Sequence, residues 1–404
     1  MTIVYLIFLL LAGYCSWKYD GIEKHDSHKA HRYWLLCVML ICISGFSYGV
    51  GGDKFVYMEA FENLPNQIDS LLEYVYLKVL IYNHMPLWTL LMVFVKRCFN
   101  SFYVLQFIQS GIINIIFCYV VSKYTHRQFL FLFIYFLSGT FFIFNMEIMR
   151  EGLAIAFCLL AVESFLNGQK SRFTFFAFLG ILFHVSAAII FCFPFCHART
   201  SRRLLLIAFG ISFVTWGLSD FILSHVASLA IGGIGMIVQK ILYYSFQAST
   251  IFGFLRSAIT FIILPFFVMY YNVKWETDEK LKEKKERLIS FYMLLSVCAC
   301  AFAGFTRIRN YAEIYMLFFF ADFIYIWLKT KERFVIRTIC LIGIVFLTSL
   351  KFFLYYQINK AYFYERFIPY TCILNEDKSV YIRKEIHIES TSGEATDNNT
   401  RNLE

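Results

Sequence analysis

Long apolar runs separated by short polar breaks recur along almost the whole chain, at residues 1–17, 33–50, 102–122, 128–144, 152–167, 173–195, 204–219, 251–272, 288–305, 310–328 and 338–357. A helix needs about 20 apolar residues to cross a bilayer, so each run is read as a transmembrane helix. Residues 80–95 form a shorter run, broken by Pro86 and holding Asn83 and His84, which is read as re-entrant or interfacial. The pattern predicts an all-α, polytopic integral membrane protein of about 10–12 transmembrane helices. It divides into one transmembrane domain over 1–358, with an external loop at 51–79 and a cytoplasmic charged loop at 273–287, and an external tail at 359–404. The tail ends in ESTSGEATDNNTRNLE, which is polar enough to read as disordered. The first run, MTIVYLIFLLLAGYCSW, has no basic start and no small-residue cleavage site, so it is read as an uncleaved span.

Charge sets the orientation. The loop 18–32 carries Lys18, Lys24, Lys29 and Arg32 and is expected inside, which puts the amino terminus outside. The loop that follows Gly51 carries Asp53, Glu59, Glu62, Asp69 and Glu73 against Lys54 and Lys78, and is expected outside. Alternation then brings NMEIMRE and TRIRN to the outer face. The run 173–195 breaks the alternation, because Arg199, Arg202 and Arg203 follow it. Either FTFFAFLGILF and SAAIIFCFPF are half-helices that enter and return with His184 near the turn, or the run crosses and FILSHVASLAIGGIGMIVQ crosses back. The crossing is favoured, since the hairpin has neither Gly nor Pro at its tip.

Composition excludes a soluble fold: 59% of the 404 residues are hydrophobic and 16% charged, where soluble domains run at roughly 45–50% and about 25%. The net charge of +9 does not point to nucleic acid, because Lys and Arg sit in short clusters between apolar runs. Most of the twelve Cys, such as Cys37, Cys118 and Cys158, lie within those runs as small hydrophobes, and Cys298 with Cys300 is too close a pair for a zinc site.

Charged groups in or beside a span must face a cavity, a partner or a substrate. Four clusters qualify. GVGGDKFVY brings Gly52, Asp53 and Tyr57 to the end of the second run, where an Asp-capped turn is the plain alternative. NMEIMREGLAIAF places Arg150 and Glu151 at the outer start of a span; the Arg fork suits a diphosphate, or it pairs with Glu147. FHVSA puts His184 and Ser186 in an apolar run, as a proton acceptor, a diphosphate donor or a satisfied core histidine. FTRIRNY carries Arg307, Arg309, Asn310 and Tyr311 in a break between two runs, where the Arg side chains bind an anion or snorkel to headgroups. There is no GxxxxGK[ST], no DxD, no HExxH and no Gly-x-Ser-x-Gly, so ATP-driven, metal-diphosphate and common hydrolase chemistry have no motif to stand on.

The order G-x-D-x-x-x-Y, M-R-x-x-x-A, F-H-x-S-A, R-x-x-x-Y and P-Y resembles that of the EpsG family of bacterial exopolysaccharide proteins, which are Wzy-like polymerases. The residues that carry the likeness are Gly52, Asp53 and Tyr57; Arg150 and Ala154; His184 and Ser186; Arg307 and Tyr311; and Pro369 with Tyr370. Two positions depart from the family pattern: Ser47 stands where an Arg is common, with Arg309 a candidate to compensate, and Glu151 stands where Gln is common.

The resemblance implies a Wzy-like, GT-C-like helical architecture and a glycosyltransferase at the outer face of the bacterial inner membrane, facing the periplasm. It would move a growing glycan from undecaprenyl diphosphate onto another lipid-linked repeat unit. No cofactor, metal or nucleotide is needed, because the leaving group is already a diphosphate. Expected partners are the lipid-linked oligosaccharide, membrane lipids, a chain-length regulator and a flippase. His184, Arg150, Arg307 and Asp53 are the catalytic candidates; Arg309, Tyr311, Gly52, Tyr57, Glu73, Glu151 and Tyr370 are the substrate-binding ones, with Glu365 a lesser one. A flippase of lipid-linked oligosaccharide and a membrane acyltransferase are the rival readings.

Overall fold

The computed structural model describes residues 3–21, 27–51, 53–65, 85–198, 202–219, 251–301, 306–329 and 366–374, with positions 70, 73, 75, 76 and 221 between them. The runs at 80–84 and 338–357, most of 220–250, Gly52, Glu365 and the polar end of the tail lie outside the described residues. What is described is helical, with one isolated antiparallel bridge between Ser47 and Cys372 and no strand. The protein is an all-α membrane protein.

In chain order the helices are α1 (Ile3–Tyr19), α2 (Ser27–Gly45), α3 (Asp53–Glu62), α4 (Pro86–Phe99), α5 (Phe102–Tyr124), α6 (Gln128–Leu137), α7 (Thr140–Glu147, ending in a π turn), α8 (Met149–Leu166), α9 (Lys170–Phe183), a 3₁₀ helix (Val185–Phe195), α10 (Arg202–Gly217), α11 (Ile251–Trp275), α12 (Glu279–Ala301) and α13 (Thr306–Lys329). Among the described residues, α5 and α11 have the length and apolarity to cross a membrane. The run 128–144 makes a third if α6 and α7, bent by 76° at Ser138 and Gly139, count as one. The remaining apolar helices are shorter, such as α1, or carry charge at a terminus, as α8 and α13 do. Leu6, Leu10, Phe94, Phe175, Phe178 and Leu206 are exposed, an apolar surface suited to lipid.

Two sequence boundaries move. Pro86 opens α4 instead of breaking the run 80–95, since proline's missing N–H is no loss in a helix's first turn. The charged segment expected as a loop at 273–287 is mostly helical: α11 reaches Trp275 and α12 begins at Glu279. The pairs Lys282–Glu279 and Arg287–Glu283 lie on its exposed face at helical spacing.

α8 is the centre of the bundle, with Leu153, Ala154, Ile155, Ala156, Cys158, Leu159 and Ala161 fully buried. Its first turn lies so close to the π turn that a Cβ on Gly152 would stand 2.3 Å from the Phe144 carbonyl. α5 meets α2 and α7 along a polar seam of fully buried Gln106, Gln109, Ser110 and Asn114. Gln106 donates to the Ser44 carbonyl at 2.7 Å, Ser110 bonds Ser44, and Asn114 donates to Asn145 at 2.7 Å. Such bonds join helices where lipid offers no hydrophobic contrast between them.

The run 173–195 does not cross, which overturns the favoured sequence reading. α9 rises along α8 and the 3₁₀ helix returns, with His184 at the tip. Phe183 stacks on Phe157 midway along α8, at 5.5 Å. Phe173 and Phe193, at the open ends of the two arms, both meet Phe165 near the end of α8, at 5.4 and 5.6 Å. The tip needs no glycine because His184 adopts extended backbone, φ −157° and ψ 125°, open to any residue. Fourteen α-helical residues at about 1.5 Å and eleven 3₁₀ residues at about 2.0 Å have nearly the same length. The second arm therefore ends beside the start of α9 at Lys170, and Arg203 follows it on the same side as that lysine, in keeping with the charge rule; Arg199 lies outside the described residues.

That end of the bundle gathers the buried basic and acidic groups. Lys285 bridges Glu276 at 2.8 Å and Asp322 at 3.2 Å, Lys123 pairs with Glu163 at 2.9 Å, and Lys29 donates to the His126 carbonyl at 2.9 Å. Asp20 accepts from the backbone N–H groups of Phe129 and Leu130 at 3.2 and 2.8 Å, which satisfies the first turn of α6. Burial pushes the Asp20 carboxyl up to about 6, against the lowering pull of these bonds.

Candidate active site

The opposite end of the bundle carries the sequence-derived candidates. α2 stops at Gly45, and 46–51 runs on as irregular backbone held by the carboxyl-terminal segment. Tyr48 N–H donates to the Thr371 carbonyl at 2.9 Å, Gly51 N–H to the Arg366 carbonyl at 2.9 Å, and Ile373 N–H to the Phe46 carbonyl at 3.0 Å. Gly51 is the position that only glycine fills, because its φ is +99° and a Cβ there would stand 2.2 Å from the Met146 carbonyl. Asp53 then opens α3, one turn before Tyr57.

Tyr57 is where the first and second clusters meet. The Arg150 Nε–H donates to the Tyr57 hydroxyl at 3.1 Å, and the guanidinium carbon lies 5.1 Å from the Tyr57 ring centroid. Trp88 of α4 packs edge-on against that ring at 5.3 Å. A neutral hydroxyl orients the guanidinium without cancelling its charge. The pairing of Arg150 with Glu147, the alternative open from sequence, does not form: Glu147 Oε1 holds Arg366 Nη1 at 2.6 Å.

The third and fourth clusters meet at the hairpin tip. His184 Nδ1 lies 2.5 Å from Ser186 Oγ, and Ser186 Oγ lies 2.8 Å from the hydroxyl of Tyr311 in α13. This is a continuous hydrogen-bonded chain from a half-buried imidazole to a buried phenol. The buried carboxyl of Glu151, next to Arg150 in the first turn of α8, lies within electrostatic reach of Tyr311. The first turn of α8 thus presents Arg150 toward Tyr57 and Glu151 toward the His184 chain. The oriented cation Arg150 and the buried carboxyl of Glu151 stand on neighbouring positions of one helix.

The residues TRIRN are the first turn of α13, not a break between two runs. That corrects the grouping of Arg307 with Arg309, since residues two apart on a helix face opposite ways. Arg307 is exposed and shares a face with Tyr311, one turn on. Arg309 is buried on the other face, where it pairs with Glu313, donates to the Tyr292 hydroxyl at 3.5 Å and lies over the Phe261 ring at 4.3 Å. The ion pair neutralises it inside the bundle, so it neither joins Arg150 nor replaces the cation expected near Ser47. Lys54 does that: it is buried and donates to Ser47 Oγ at 2.7 Å.

Tyr370 is also corrected. Its ring is buried against Tyr5 at 5.3 Å, beside the Tyr5 hydroxyl's bond to the Phe367 carbonyl at 3.0 Å, so it packs the tail onto α1 and offers no sugar platform. Glu73 is exposed. Lys54 and Arg366 were missed by sequence reasoning. Lys54 follows Asp53 and read as one charge of a solvated loop; Arg366 lies beyond the last apolar run, and nothing local to it signals a contact with residues 51 and 147.

No curated protein matches the chain, and no solved structure matches it. The EpsG family model matches residues 32–372, from α2 to the segment that holds Gly51 in place. With the span of that match covering both clusters just described, the chain belongs to the EpsG family, whose members are membrane proteins of the polysaccharide-polymerase type.

Proposed function

We propose that this protein polymerises undecaprenyl-diphosphate-linked oligosaccharide by glycosyl transfer at the outer face of a bacterial inner membrane. The observation that carries the reading is the first turn of α8, with Arg150 oriented by Tyr57 on one side and the Tyr311–Ser186–His184 chain beyond Glu151 on the other. Glycosyl transfer from a lipid diphosphate needs these two elements: a cation for the charge that develops on the leaving diphosphate and a base for the acceptor hydroxyl.

In this reading an acceptor sugar oxygen attacks the anomeric carbon of the donor glycan while the bond from that carbon to the diphosphate oxygen breaks. The diphosphate leaves with the electron pair, stabilised by Arg150 and by Arg307 on the Tyr311 face. The acceptor proton passes to His184. When Nδ1–H donates to Ser186 and Ser186 to Tyr311, the Nε2 lone pair is set to receive it, and the hydroxyl chain spreads the imidazolium charge. Asp53, which opens α3 one turn before Tyr57, is assigned to the same site.

The gathering of these groups at one end of the bundle favours an enzyme over a flippase, which would need a polar path open to each side in turn. The test is turnover of a defined undecaprenyl-diphosphate repeat unit by the purified protein. A ladder of longer lipid-linked glycans is expected, and their absence with an intact, correctly folded protein would overturn the reading.

A further inference from the structure

Arg366 sits at the junction of two contacts that lie far apart in sequence. Its carbonyl accepts the Gly51 N–H at 2.9 Å, which ties it to the backbone two residues before α3. Its guanidinium meets Glu147 at 2.6 Å, three residues before Arg150. The segment around it is clamped: Thr371 Oγ1 donates to the Tyr48 carbonyl at 2.5 Å, Phe367 packs on Phe142 at 5.2 Å, and Tyr370 packs on Tyr5. The backbone of Arg366 is therefore held in place, and its side chain reaches out to Glu147.

The ion pair has the character of an exchangeable one. Both side chains keep some solvent contact, 20% for Arg366 and 14% for Glu147, so neither charge is locked into a dry interior. The guanidinium is bound to the carboxylate through a single Nη1 bond, whereas an Arg fork grips an oxyanion best through two parallel bonds. Glu147 closes the π turn of α7 and Arg150 lies in the first turn of α8, three residues on, so the two cations are tied to the same break between helices.

On the basis of the proposed function, we propose that Arg366 is a second cation for the leaving diphosphate, and that Glu147 occupies it between turnovers. A diphosphate carries more negative charge than one carboxylate and can be held by Arg150 and Arg366 together. It displaces Glu147 on arrival. After the glycan has moved, the Glu147 carboxylate competes for Arg366 and helps release undecaprenyl diphosphate.

Binding of undecaprenyl diphosphate to the full-length protein in nanodiscs tests this without requiring turnover. Arg366→Ala is expected to weaken binding about ten-fold, with Arg366→Lys recovering part of it. Glu147→Gln is expected to tighten binding, a gain that misfolding cannot produce. The exchanged pair, Glu147→Arg with Arg366→Glu, separates an anion site from a tether: a tether is restored by the exchange, an anion site is not. Unchanged binding in Arg366→Ala, equal weakening in Arg366→Ala and Glu147→Gln, or wild-type binding in the exchanged pair would each overturn the inference. Absence of chain extension by the wild type, with the binding pattern intact, would instead overturn the polymerase reading.

Discussion

At the scale of the residue, the candidate chemistry rests on neutral hydroxyls that aim ionisable groups. Tyr57 takes one Arg150 hydrogen at 3.1 Å, and bonds to charged groups contribute about 1.5–3 kcal/mol. Tyr57→Phe should therefore lower kcat/KM by roughly ten-fold or more while the detergent-extracted protein elutes and melts like wild type. An unchanged kcat/KM would remove Tyr57 from the site. Ser186 joins His184 to Tyr311, so Ser186→Ala should both slow turnover and displace the acidic limb of the pH–rate profile. His184→Ala should cost about 10²–10⁴-fold, the usual range for a general base. A Ser186 variant with the wild-type pH profile would mean that the hydroxyl only fills space. These residues were legible in sequence because polar side chains inside apolar runs stand out. Their partners were not, since Tyr57 with Arg150 and His184 with Tyr311 are joined across the fold.

At the scale of the element, the informative features are breaks. Gly51 combines a φ of +99° with a carbonyl where a Cβ would be. Gly51→Ala should cost about 1–3 kcal/mol of backbone strain and loosen the carboxyl-terminal segment, which protease cleavage near residue 366 would report. The hairpin of α9 and the 3₁₀ helix makes a sharper prediction. Single cysteines at Gln169 and His197, in a background without the native cysteines, should react with an impermeant reagent from the same side of the membrane. Labelling from opposite sides would return the run to a simple crossing. In sequence the two arms form one apolar run, so a hairpin turning near His184 and a simple crossing are both open, and without Gly or Pro at the tip the pattern alone favours the crossing. The packing of Phe173 on Phe191 and of Phe173 and Phe193 on Phe165 decides for the hairpin.

At the scale of the whole molecule, the two ends of the bundle differ in kind. One end is tied by buried ion pairs and by Asp20, whose carboxyl burial raises from 3.8 to about 6. A raised carboxyl pKa means that the folded state binds the proton more tightly than the unfolded chain. The contribution to stability is therefore greatest at low pH and declines as pH rises from about 4 to about 6. It amounts to at most about 3 kcal/mol, taking 1.36 kcal/mol per pK unit. Asp20→Asn should flatten that part of the stability-against-pH curve; an unaltered slope would place the titration elsewhere. The other end carries Arg150 oriented by Tyr57 and Arg366 supplied by a segment recruited from beyond the last apolar run, the groups that the proposed function assigns to an anion.

The sequence by itself determined that the chain lives in a membrane and which end of each helix carries the basic residues, because both follow from local apolarity and charge, summed along the chain. It also determined the family, through motifs that keep their order. Tertiary structure decided which of the ordered motifs meet. Helical phase sent Arg309 to Glu313 and left Arg307 on the Tyr311 face, and packing made Tyr370 a core residue. Arg366 was brought to Gly51 and Glu147 by the docking of a distant segment. Contacts of that kind depend on where whole helices sit, and no local pattern of residues encodes a meeting between positions 147 and 366.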